Sequence, residues 1–230
     1  MDKLPDMKIV ARIRSDFTDK FGIPRQSGLV EGLVSRVVFE PDYREREALR
    51  GIEGYSHLWL LWVFSENRRE ATRLTVRPPR LGGNKRMGVF ATRSPYRPNP
   101  IGLSCVKLLG VESDPKRGSV LKIAGADLMD GTPIFDIKPY IPYTDAIPDA
   151  SAGYTARTIL HELSVEIPEE LLARVPEEKR EALLGVLEND PRPTYQNDPG
   201  RVYGMAFGGH NVKFTVEGGL LRVCAVEKIK

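Results

Sequence analysis

Between Thr75 and Gly102 the chain reads TVRPPRLGGNKRMGVFATRSPYRPNPIG, with six basic side chains: Arg77, Arg80, Lys85, Arg86, Arg93 and Arg97. No Asp or Glu occurs from Ala71 to Val111, where the chain's average acid content would place about five or six. An uncompensated basic field of this length attracts polyanions, and nucleic acid is the commonest. Prolines fix φ and remove backbone donors, and glycines allow close backbone approach, so the stretch reads as an ordered loop. Further along, Asp130 and Gly131 form a turn signal between two apolar runs, with Asp127 and Asp136 beside it. Arg25 follows the stiff Pro24 and is able to fork onto a carboxylate or phosphate. Tyr96, Tyr140, Tyr143 and Tyr154 add stacking surfaces. Fixed arginines, a carboxylate-flanked turn and aromatics suit a small zwitterion held together with nucleic acid. From these residues alone, catalysis and plain RNA binding by a basic-faced barrel stand equal.

Several other chemistries have no footing. The chain lacks GxGxxG after a strand, GxxxxGK[ST] and GxSxG. His57, His161 and His210 are dispersed without ligand spacing, so no metal site is expected. Cys105 and Cys224 lie far apart and suit the reducing cytoplasm. The start, MDKLPDMKIV, has no signal-peptide apolar run, and LWLLWVF is too short to span a membrane. Net charge is only +3. The basicity is therefore local.

Positioning such a site falls to short strands. Met7–Ile13, Gly32–Phe39, Met87–Thr92, Ile101–Val111 and Ser119–Gly125 read as strands. Gly54–Phe64 reads as a central strand covered on both faces, and Asp42–Leu49 as helix-compatible. Many short strands with Pro/Gly turns predict a mainly β fold, a closed or nearly closed β-barrel over residues 1–155. Residues 156–230 read as a small α+β C-terminal domain. There Leu183, Leu184 and Leu187 share a helical face, and Gly209–Ile229 forms a hairpin turning at Gly218 and Gly219.

GVFATRSPYRPNPIG at Gly88–Gly102 and DLMDGTPIFDIKPY at Asp127–Tyr140 resemble the TrmO family, also called YaeB or TsaA-like. PRLGGN at Pro79–Asn84, PRQ at Pro24–Gln26, SHLW at Ser56–Trp59 and DPRPTY at Asp190–Tyr195 agree. The resemblance implies a single closed β-barrel methyltransferase domain. It further implies a homodimer, with S-adenosyl-L-methionine bound near the subunit interface. The implied reaction is methylation of N6 of threonylcarbamoyladenosine (t6A to m6t6A) at position 37, beside the anticodon of tRNA. The alternatives are a non-catalytic RNA-binding barrel or a hydrolase of modified nucleotides.

Under this resemblance the expected cofactor residues are Pro24, Arg25, Gln26, His57, Leu58, Arg93, Leu103, Met129, Asp130, Gly131 and Thr132. Arg77, Arg80, Lys85, Arg86, Arg97, Asn99 and Arg192 are the expected tRNA contacts. The target nitrogen is amide-like and must lose a proton. Asp136, or Tyr140 paired with Lys138, is the expected acceptor, with the t6A carboxylate itself as the alternative.

Overall fold

The structure, a computed structural model, describes residues 6–66, 74–78, 81, 85–157, 162–193 and 198–229. The ring at its centre is built from β1 (Ala11–Arg14), β2 (Val34–Phe39), β3 (His57–Val63), β6 (Ile101–Asp114), β7 (Gly118–Ala124) and β8 (Pro133–Pro139). Its strand order is β1-β2-β7-β6-β3-β8, and β8 pairs back onto β1, closing a barrel. Closure removes the unpaired edges that would otherwise template aggregation. All six pairings are antiparallel.

Period-2 patterning puts the branched side chains inside. In β3, Leu58, Leu60 and Trp62 point into the barrel, while Trp59, Leu61 and Val63 remain partly exposed outside. The strand is central, between β6 and β8, but only one face is fully covered; the run HLWLLWV overstates burial because Trp59 and Leu61 stand on the outer surface. Ala11, Ile13, Val37, Val106, Leu121, Ile123 and Ile134 complete the inner core. Each large aliphatic group there contributes about 1.5–3 kcal/mol by burial.

Two other expectations shift. Asp42–Leu49 forms no helix but part of two tight 3₁₀ turns, Pro41–Tyr43 and Arg46–Leu49. Only Leu49 is buried, and charged residues flank it, so no apolar stripe exists to hold a longer helix. Met87–Thr92 is mostly a turn. Only β5 (Met87–Gly88) pairs, with β4 (Thr75–Val76), before a 3₁₀ turn at Val89–Ala91.

Beyond the barrel lie the short helix α1 (Pro142–Asp145) and a second sheet. The sheet contains β9 (Ser164–Glu166), β10 (Tyr203–Phe207), β11 (His210–Glu217) and β12 (Leu220–Lys228), ordered β10-β11-β12-β9. Helices α2 (Glu169–Leu172) and α3 (Glu177–Glu188) accompany it, with Leu183 and Leu187 buried. The core of this part also takes in Phe17, Val30 and Leu33 from the β1–β2 connection. Lys179 pairs with Asp16 at 2.5 Å, tying that connection to α3. The connection therefore joins two barrel strands while packing its apolar side chains into the second core.

Candidate functional site

One cavity of about 590 Å³ opens at the end of the barrel where β3 finishes and β6 begins. That volume suits a single cofactor-sized ligand. Five segments converge on it: the β1–β2 connection at Lys20–Gln26, the end of β3, the loop Thr92–Arg97, the start of β6 at Ile101–Leu103, and Asp127–Thr132 before β8. They meet because β3 pairs with both β6 and β8, bringing distant loops to one rim.

Of the eleven candidate cofactor residues, Pro24, Arg25, Gln26, Arg93, Leu103, Met129 and Thr132 line this cavity. Several are pinned before any ligand arrives. Arg93 donates from Nη1 to Gln26 Oε1, and Gln26 Nε2 donates to the Arg25 carbonyl. Arg25 Nη2 donates to the Arg192 carbonyl at 2.9 Å. Thr132 Oγ1 donates to the Met129 carbonyl at 2.7 Å.

Four candidates do not line it. Leu58 is buried in the barrel core, and His57 stands at the opposite end of β3 from Trp62 and Val63, which line the cavity. Asp130 and Gly131 hold the turn itself. Their N–H groups donate to the Phe17 carbonyl at 2.8 Å and the Ile13 carbonyl at 2.9 Å. The Asp130 carboxylate takes Ser15 N–H at 3.1 Å and Arg14 at 3.2 Å. Gly131 has φ 79°, which a β-carbon would disfavour. This turn is spent on joining β8 to β1, so its amides are not aimed at a ligand.

The candidate proton acceptors Asp136 and Tyr140, and Lys138 expected to pair with Tyr140, lie outside the cavity. Asp136 and Lys138 form an exposed ion pair at 2.9 Å on the outer face of β8, and the pair raises the pKa of Lys138. Tyr140 packs against the rings of His57 and Trp59 at centroid distances of 6.2 and 5.8 Å rather than on Lys138.

Among the described residues two carboxylates line the cavity, Glu66 and, held by hydrogen bonds from other strands, Asp127. Its Oδ1 accepts the Ser104 hydroxyl at 2.5 Å, and Ser104 Oγ in turn accepts the Trp62 indole N–H at 2.9 Å. Desolvation pushes the Asp127 pKa up; the Ser104 hydroxyl, backbone N–H groups and the charge of Arg93 oppose the rise. A signal existed in sequence, a lone acid in the apolar run IAGADLM, but its partners Ser104 and Trp62 sit in other strands.

Residues 12–146 match the tRNA-methyltransferase O N-terminal domain, and residues 161–229 match the TrmO C-terminal domain. The chain belongs to the TrmO family. It is 43% identical to the tRNA (adenine(37)-N6)-methyltransferase of Escherichia coli strain K12 over 226 residues, 94% of each chain. The human tRNA (adenine(37)-N6)-methyltransferase is 40% identical over 143 residues, which are 60% of this chain and 30% of that one. A crystal structure of TrmO superposes with a TM-score of 0.80 and 35% identity, covering 98% of this chain and all of that one. Another, from Pseudomonas aeruginosa, gives 0.78 and 34%, covering 97% and 99%.

Within this TrmO chain the candidate tRNA contacts divide. Arg77, Lys85, Arg86 and Asn99 are exposed, and none of the three basic groups has an acidic partner among the described residues. Arg97 is drawn inward, lines the cavity and donates to the Thr92 carbonyl at 2.9 Å. Arg80 lies outside the described residues. Arg192 is turned inward: its side chain is only 10% exposed and grips Asp190 through Nε at 2.8 Å and Nη2 at 2.9 Å. Among the described residues no cluster of His, Cys, Asp or Glu is arranged to hold a metal, and no helix is long and apolar enough to cross a membrane.

Proposed function

We propose that this chain is an S-adenosyl-L-methionine-dependent tRNA (adenine-N6)-methyltransferase that converts t6A to m6t6A at position 37 in the cytoplasm. The observation carrying the reading is the cavity that joins the PRQ segment, Arg93, Leu103, Met129 and Thr132 in a TrmO-family chain. Its lining fits the cofactor: arginines for a carboxylate, and Trp62, Leu103 and Leu128 as apolar walls for an adenosyl group. When bound, S-adenosylmethionine supplies an electrophilic methyl group. Pro24, Arg25, Gln26, Arg93, Leu103, Met129 and Thr132 hold it.

The residues around it do the rest. Arg97, fixed by the Thr92 carbonyl, takes the carboxylate of the threonylcarbamoyl group, with exposed Asn99 adding a hydrogen bond at the rim. Holding both partners converts methyl transfer into an intramolecular-like step. A low-polarity wall favours it, because positive charge on sulfur disappears as the methyl leaves. Arg77, Lys85 and Arg86 lie on the phosphate-facing side. A homodimer fits the outer face of β6, β3 and β8, where Leu103 is 49% exposed and where α1, tied to Trp59 through Asp145, carries Tyr143 at 89% exposed. Leu103 belongs to both that face and the cavity, which supports a cofactor site near a subunit interface.

Radiolabelled methyl transfer to tRNA, prepared with and without t6A, tests the reading. Label is expected in the t6A-bearing tRNA alone. Label in neither tRNA overturns the enzyme assignment, and equal label in both overturns the t6A requirement.

A further inference from the structure

The network behind Asp127 has a fixed direction. An indole N–H only donates, so Trp62 must give its proton to Ser104 Oγ. Ser104 has one hydroxyl proton, and the acceptor in reach is Asp127 Oδ1. The hydroxyl is thereby committed to the carboxylate and cannot itself take a proton from a substrate. Neither support is free to wander. Ser104 is fully buried, Trp62 nearly so, and the indole lies against Gly102, where an added β-carbon would sit 2.2 Å from Cε2. The result is a carboxylate on the cavity wall, held from behind by two rigid groups.

Alkylating the t6A nitrogen requires such a group. Its lone pair is delocalised into the purine and the adjoining carbonyl, so attack without proton loss leaves a poorly stabilised cation. Resting on the methyltransferase reading above, we propose that Asp127 is the proton acceptor for methyl transfer. The N6 electron pair forms the new N–CH₃ bond while the methyl–sulfur bond breaks with its pair going to sulfur. The N6–H bond pair stays on nitrogen, and its proton passes to the Asp127 carboxylate. Atoms and charge balance: a sulfonium and a carboxylate become a thioether and a carboxylic acid.

The surroundings suit that task. Desolvation makes Asp127 a stronger base than a surface carboxylate, while Arg93 keeps the charged form accessible. Arg93 is the cation that acts on it; Lys20, Arg25, Arg97, Glu66 and Tyr96 also line the cavity, and among the described residues no histidine does. Asp136, with Lys138 bound to it outside the cavity, lacks access to a ligand held here.

Two measurements decide. Carboxyl ¹³C chemical shifts of labelled protein without cofactor should show Asp127 titrating above ordinary aspartates, and Ser104→Ala should move that titration further up, since the lost hydroxyl favours the charged form. Single-turnover methylation of t6A-tRNA should fall as pH drops through the same midpoint. Asp127→Asn should lose at least about a hundredfold in rate, and its acid limb, while calorimetry shows cofactor binding retained. Ser104→Ala should carry the limb to higher pH. Ordinary titration of Asp127, or a wild-type rate in Asp127→Asn, overturns the proposal. If Asp127→Asn loses cofactor affinity, the Ser104→Ala limb decides: an unmoved limb overturns it. A wild-type protein that labels no tRNA overturns the methyltransferase reading instead.

Discussion

Arg93 and Asp127 face one another electrostatically across the cavity wall, and they differ in how openly the sequence displayed them. Arg93 sits in ATRSP, inside a stretch already marked by its lack of acids. Its contact to Gln26 joins two motifs that both line the cavity. Arg93→Ala should weaken cofactor binding by roughly tenfold or more, as expected for a charged hydrogen bond, measurable by calorimetry. Asp127 was less legible because its environment comes from Ser104 and Trp62, which only strand pairing brings near. Its raised pKa also has a stability consequence. A carboxyl raised in the folded state contributes stability at low pH that is lost as pH rises through the folded value. Asp127→Asn should therefore melt above wild type near pH 8, with the difference narrowing toward pH 4. Thermal melts at the two pH values check this, and a lower Tm for the variant at pH 8 contradicts it.

At the scale of elements, the strands were legible because period-2 patterning is local, and β2, β6 and β7 fall close to their expected runs. The helix-compatible stretch Asp42–Leu49 stops at short 3₁₀ turns, because its charges leave no apolar face to hold a longer helix. Least legible was the link between Asp190–Arg192 and Arg25, since Arg25 reads backbone carbonyls, which carry no sequence signature. Asp190 adopts φ 47°, uncommon for a non-glycine residue, and clamps the buried Arg192 guanidinium. The C-terminal part thereby helps orient a cavity residue that belongs to the barrel part. Asp190→Ala would leave a buried cation unpaired, at a cost of about 3 kcal/mol. Chemical denaturation should register that loss. A rise in cofactor KM exceeding any fall in kcat would register the loosened Arg25. Unchanged stability would mean the ion pair is dispensable.

Across the whole molecule, the basic side chains singled out in the sequence divide by where they stand in the fold. Arg93 and Arg97 turn toward the cavity, Arg192 is consumed inside the fold, and Arg77, Lys85 and Arg86 remain outside. Sequence showed the charge but not this partition, because partition depends on which guanidiniums meet a carbonyl or carboxylate after folding. The division predicts unequal salt effects. Phosphate contacts release counterions, so affinity falls with salt in proportion to their number, by about 0.7–0.9 in log–log slope per contact. The double variant Arg77→Gln/Arg86→Gln should flatten the slope for tRNA binding by up to about twice that amount. Arg192→Lys, which keeps a charge already buried against Asp190, should leave the slope unchanged while lowering stability, because an ammonium cannot reproduce the two-pronged grip. Titrations at four salt concentrations separate the cases. A slope unchanged in the double variant would remove Arg77 and Arg86 from the tRNA-facing surface, and a flattened slope in Arg192→Lys would return that arginine to it.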